Sequence, residues 1–129
     1  MKEGDLVIAP YKSGLYVGEL LLAEPPKAKV RVLALLKHPE QGDLHHPQRA
    51  DVAMFHVRRA LAYREVANVM IRDLEPYGEP EAPDYAASLR AALQAEMARM
   101  ESIGGEFGRK AAAALKELER DYGLLPGNP

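Results

Sequence analysis

Three of the four histidines, His38, His45 and His46, fall within nine positions of the stretch LKHPEQGDLHHP (residues 36–47), with Glu40 and Asp43 between them. Imidazole nitrogens and carboxylate oxygens are zinc ligands, and a zinc site needs three or four such donors at about 2.0–2.2 Å. The spacing fits that chemistry poorly. Adjacent histidines in extended backbone point to opposite faces, so His45 and His46 could chelate together only across a sharp turn, with Asp43 or His56 completing the set. A histidine general base is the second possibility, since imidazole titrates near about pH 6.5. It would need a nucleophile or an orienting carboxylate, and Glu40 and Asp43 are near it only in sequence. Serine occurs only at 13, 88 and 102, threonine is absent, and there is neither a GxSxG nor a Walker-type loop. We therefore assign no catalytic residue and expect no metal, no cofactor and no enzymatic activity. Read as structure, the stretch is a connection in which Pro39 and Pro47 restrict the chain, Gly42 permits a turn and Asp43 caps an amide. A long ordered loop is equally a seat for partner recognition.

A second cluster follows at FHVRRALAYRE (residues 55–65), where Arg58, Arg59 and Arg64 accompany Phe55, His56 and Tyr63. Guanidinium groups beside aromatic rings can hold single-stranded nucleic acid, phosphates meeting the charge and bases stacking on the rings. Intramolecular pairing with Asp51, Glu65 or Asp73 is the competing reading. The charge balance favours neither extreme. Lys and Arg number 17 against 19 Asp and Glu, a net charge of -2, so the basic excess behind non-specific nucleic-acid affinity is missing.

These residues must be positioned by the elements around them. With 129 residues, 47% hydrophobic and 28% charged, the chain suits one globular domain. Period-2 patterning runs through residues 5–9, 14–23, 28–36, 50–57 and, less clearly, 61–74. In the clearest case Ala28, Val30, Val32 and Ala34 alternate with Lys29, Arg31 and Leu33, which predicts one core-facing side. Lys12-Ser13-Gly14 and Glu24-Pro25-Pro26-Lys27 read as turns between antiparallel neighbours. Five short strands with short turns predict a small barrel or tight sandwich over residues 1–78, because closing the sheet hides strand edges. The opening KEGDLVIAPY, with YVGELL soon after, resembles the start of SH3-like barrels.

Residues 79–83, rich in proline, read as a connector. Beyond it, Asp84 is a helix N-cap, and Tyr85, Leu89, Ala92, Leu93, Met97, Met100 and Ile103 form a stripe of helical period that Gly104-Gly105 ends. Phe107, Ala111, Ala114, Leu115, Leu118 and Tyr122 form a second stripe, stopped by Gly123. The expectation over residues 84–123 is thus a helical hairpin, compact with the barrel and with apolar faces that permit a homodimer. Residues 124–129 read as a loose tail. The first residues lack the apolar core of a signal peptide, and no run approaches the roughly 20 apolar residues of a membrane span. Cysteine is absent, so disulfides and thiol chemistry are excluded. A cytoplasmic location is expected.

The blocks LALLKHPEQGDLHHP, DVAMFHVRRALAYREVANV, DLEPY and PDYAASL resemble the kinase-associated protein B family, also called kinase-associated lipoprotein B, of spore-forming Gram-positive bacteria. The resemblance runs from GDLV near the start to ERDYG near the end. It implies a mainly β plus α fold, a small SH3-like five-stranded β-barrel followed by a C-terminal helical hairpin. It also implies a non-enzymatic regulatory or adaptor role beside a sensor histidine kinase of the sporulation phosphorelay, which would place the protein near the membrane through that partner. His38, Gln41, Asp43, His45, Phe55, His56, Arg58 and Arg64 match the family pattern, and no catalytic residue is carried over. With His46 and Arg59 they form the candidate partner-binding surface. A nucleic-acid-binding SH3-like module is the alternative. The lipoprotein name supposes a lipid-modified cysteine, which these residues lack, so membrane anchoring of that kind is not expected.

Overall fold

A computed structural model describes residues 1–42, 48–51 and 55–124. Five strands form one antiparallel sheet: β1 (Leu6–Tyr11), β2 (Gly14–Glu24), β3 (Lys27–Lys37), β4 (Val66–Met70) and β5 (Glu75–Pro76), in the order β4-β3-β2-β1-β5. A single 3-10 turn, Ile71–Asp73, joins β4 to β5. Two helices follow, α1 (Tyr85–Ile103) and α2 (Gly105–Asp121).

Chain contacts divide the molecule into two compact units that are interleaved in sequence. The first is Met1–Pro39 with Ala60–Ala92; the second comprises the described residues of 40–59 and of 93–129. In the first unit the alternation read from β3 is realised residue by residue: Ala28, Val30, Val32 and Ala34 are all buried. Val7 and Ala9 from β1, Leu20 from β2, Ala67 and Val69 from β4, and Leu74 pack with Ala28 and Val30 in one core. The β2–β3 ladder is irregular at three places, between Leu15 and Tyr16, Val17 and Gly18, and Leu20 and Leu22. Such bulges add local bend and twist.

The strand pattern departs from expectation in three ways. The ladder does not close: β4 and β5 are its edges, and β5 has only two residues, one of them Pro76, which has no N–H to donate. The fourth strand expected at residues 50–57 is absent among the described residues there, where the Ala50 carbonyl accepts from Lys110 and the His56 carbonyl from Gly42 N–H; residues 52–54 lie outside the described residues. The segment expected as one strand over residues 61–74 holds only β4 and the 3-10 turn, and β5 lies just beyond it.

The start of α1 belongs to the first unit and is tied to the sheet. Asp84 caps it through Oδ2, which accepts the Ala87 N–H at 3.0 Å, as expected of an aspartate there. Ser88 Oγ accepts the Leu35 N–H at 3.0 Å. Both polar groups of the Leu61 peptide are held by tyrosines, its N–H donating to the Tyr16 oxygen at 3.1 Å and its carbonyl accepting from the Tyr85 hydroxyl.

The second unit is built on the two helical stripes. Leu93, Met100, Ala111, Leu115 and Leu118 are buried together, with Phe55, Met97, Phe107, Tyr122 and Leu124 packed around them. Gly108 is required by this packing, because a Cβ there would lie 2.6 Å from the Met100 carbonyl oxygen. The end of α2 satisfies its last carbonyls with two bonds, Gly123 N–H to Arg120 O and Leu124 N–H to Glu119 O, each 3.0 Å, with Gly123 at φ 74. Ile103, the last residue of the first stripe, is 38% exposed.

Candidate interaction surface

The structure distributes the candidate residues over both units. His38 and Arg64 lie in the first; Gln41, Phe55, His56, Arg58 and Arg59 lie in the second. Asp43, His45 and His46 fall outside the described residues. His38 follows directly on β3 and is fully buried, its Nδ1–H donating to the Pro39 carbonyl at 2.9 Å. It is a buried hydrogen-bonding group at the end of β3. Arg64 is exposed at φ 70, and its N–H donates to Val32 O at 2.7 Å.

In the second unit, residues 40–42 and 56–58 are fastened side by side. The Gln41 amide bridges the main chain of Arg58 in both directions, Nε2 donating to the carbonyl at 3.0 Å and Oε1 accepting the N–H at 2.8 Å. Gly42 N–H donates to His56 O at 2.9 Å. The Arg58 guanidinium then turns back to the carbonyls of Glu40 and Gly42. A glutamine here replaces the ladder partner that a strand would have supplied, which meets the requirement that buried main-chain groups be paired. Gly42, at φ 99, lies against the rings of Phe55 and Phe107, 3.2–3.3 Å from where a Cβ would stand.

The flanks are fixed by rings and charges. Phe55 meets Phe107 with ring centroids 6.0 Å apart, and Lys110 Nζ lies 4.8 Å from the Phe55 centroid. Arg59 lies 5.3 Å over the Tyr122 ring and 3.6 Å from Asp121. Asp51, expected as a partner of the arginine cluster, instead pairs with Arg49 at 2.8 Å, while Glu65 Oε1 accepts the Ala62 N–H. His56 and Val57, by contrast, point outward, Val57 being 50% exposed.

One cluster was not anticipated from the sequence. Glu96 is buried, 4% exposed, and Arg99 grips it through Nε and Nη2 at 3.0 and 2.9 Å while also reaching Glu40 Oε1 at 3.1 Å. The hydrogen bond to Glu96 is the largest cause raising the Arg99 pKa above its ordinary value. The signal was present: Glu96 is three residues after Leu93 and four before Met100, in phase with the apolar stripe. A carboxylate so placed requires a base, and Arg99 at i+3 supplies it. No group of three or more histidine or acidic side chains is placed to hold a metal among the described residues.

The family model described as Kinase associated protein B matches residues 11–123. The chain belongs to the kinase-associated protein B family. It is 43% identical over 119 residues to Kinase-associated lipoprotein B of Bacillus subtilis (strain 168), covering 92% of each chain. The crystal structure of kinase-associated protein B from Bacillus cereus has a similar fold, with TM-score 0.78 at 34% identity, over 95% of this chain and 97% of that one. The B. subtilis relative carries the word lipoprotein in its name, whereas the 129 residues here contain no cysteine. No helix among the described residues is long and apolar enough to cross a membrane.

Proposed function

We propose that this protein is a non-enzymatic regulatory adaptor that associates with a sensor histidine kinase of the sporulation phosphorelay, acting in the cytoplasm beside its partner. Family membership and the names of its relatives support the kinase association. The observation that carries the reading is the fastening of residues 40–42 to residues 56–58, which holds His56 and Val57 outward on backbone already ordered. Preorganised backbone lowers the entropic cost of docking, and an exposed valine beside polar groups suits a protein interface better than a reaction centre. Arg59 and the neighbouring helix end extend this surface.

The nucleic-acid reading is less well supported, because the Arg58 guanidinium is engaged by carbonyls and Arg59 by Asp121. For a homodimer through the helices, Ile103 is the one large apolar side chain of α1 and α2 exposed among the described residues. We read the sheet as SH3-like, supported by the three irregularities that bend its β2–β3 ladder. Co-purification of the full chain with sensor histidine kinases of the same cell tests the function. A specific kinase retained at micromolar protein is expected; failure of every such kinase to bind at tens of micromolar would refute it.

A further inference from the structure

The outer side of β4 presents a row of main-chain groups. β4 ends the strand order, with β3 on one side and no strand on the other among the described residues. The Val32 N–H to Glu65 O bond at 2.8 Å and the Ile71 N–H to Pro26 O bond at 2.9 Å, at the two ends of the β3–β4 register, fix its phase. Residues 65, 67, 69 and 71 are thus the ones bonded to β3, and Val66, Asn68 and Met70 turn their N–H and C=O groups outward. Val66 is 46% exposed and Asn68 is exposed as well. Such an edge is a template for another extended chain.

The register also places the charges behind this edge. Asn68 stands opposite Lys29 of β3, and Lys29 stands opposite Leu22 of β2. The neighbouring bases of β3 are matched: Lys27 is across from Glu24, and Arg31 lies 3.6 Å from Glu19. At the ends of β4, Arg64 is followed by Glu65 and Arg72 by Asp73, which leaves each end neutral. Lys29 has no ion-pair partner among the described residues. With Asn68, Leu22, Glu24 and Lys27 it lines a shallow pocket of ≈ 120 Å³ directly behind the edge. One uncompensated positive charge therefore sits at the middle of the strand.

A residue added opposite Asn68 would exchange both main-chain bonds with it and turn its side chain to the same face, two strand spacings, about 10 Å, from Lys29. A glutamate and a lysine reaching over the short Asn68 side chain span that distance. A second copy of this chain fits less well. Its β5 has two residues and ends on Pro76, and its β4 paired about Asn68 would add a second Lys29 to the same row without a carboxylate.

We propose that the β4 edge takes up an extended segment of a partner protein as a sixth strand, with an acidic residue opposite Asn68 and its carboxylate beside Lys29. The proposal uses none of residues 40–59 and stands whether or not the kinase reading does.

The test is an amide chemical-shift titration of the isotope-labelled full chain with a nine-residue peptide of alternating threonine and valine whose central residue is glutamate, against its lysine counterpart. Saturable shifts centred on the Val66, Asn68 and Met70 amides are expected with the glutamate peptide alone. Methylating the peptide nitrogen of the central glutamate removes the N–H aimed at Asn68 and should weaken binding about fivefold, whereas methylating that of the next valine, which points away, should not. Lys29→Gln should weaken binding about threefold, and Lys116→Gln, an equal charge change on the exposed side of α2, should leave it unaltered. No shifts at millimolar peptide, equal binding of the lysine peptide, equal binding of the two methylated peptides, or a Lys116→Gln effect as large as that of Lys29→Gln would each overturn the proposal. So would the same amide shifts produced by raising the concentration of this chain alone, or by a single-stranded oligonucleotide.

Discussion

The two units solve the same problem, pairing main-chain groups around an apolar core, by different means. In the first, ladders between β1, β2, β3, β4 and β5 satisfy the backbone, and side chains alternate between core and exterior. In the second, helices satisfy themselves, and the described residues of 40–59 are secured by side chains: Gln41 and Arg58 on the main chain, Arg99 on Glu40, Lys110 on the Ala50 carbonyl. A ladder distributes its stability over many equivalent bonds. A segment held by a few side chains concentrates it, so single substitutions there should cost more than single substitutions along a ladder.

Substitutions can break this contrast in a graded way. The largest effect is expected from Leu115→Ala, which empties a fully buried site in the helical core and should cost about 2–5 kcal/mol in denaturant unfolding. Gln41→Ala comes next. It leaves the Arg58 N–H and carbonyl without their side-chain partners and should cost about 1–3 kcal/mol, with faster amide exchange at residues 42 and 58. No single side chain outside the core of the first unit should do as much, since its ladders have many rungs.

Asp84→Ala removes a cap on one helix and should cost about 1 kcal/mol, while Asp84→Asn should cost less than half of that, as thermal melts would show. The smallest effect belongs to Arg59→Ala. Its ion pair with Asp121 is largely exposed and 3.6 Å long, so stability should stay within about 0.5 kcal/mol of the unaltered protein. A larger loss would show that the ring contact with Tyr122 is structural.

The same contrast explains what could be read from the sequence. The β3 face, both helical stripes, the Asp84 cap and the Gly104-Gly105 and Gly123 stops were legible because each follows from local periodicity or local backbone chemistry. Of the strand expected at residues 50–57, the described residues were misread because their carbonyls are met at long range, Ala50 by Lys110 and His56 by Gly42, pairings with no local signature. The open sheet was missed for a related reason: whether β5 reaches round depends on its length, and Pro76 at its end limits its hydrogen bonding. Burial of His38 beside Pro39 likewise depends on tertiary placement. Glu96 could have been found, since a carboxylate in phase with Leu93 and Met100 marks a buried charge.

Autophosphorylation of a sensor histidine kinase that the full chain retains, titrated with that chain, tests the proposed function most directly. We expect a saturable change in rate that Val57→Asp, an exposed substitution on the fastened segment, reduces at least tenfold in apparent affinity while leaving the melting temperature unchanged. A rate that does not respond to the unaltered protein, or that responds equally to Val57→Asp, would contradict the account.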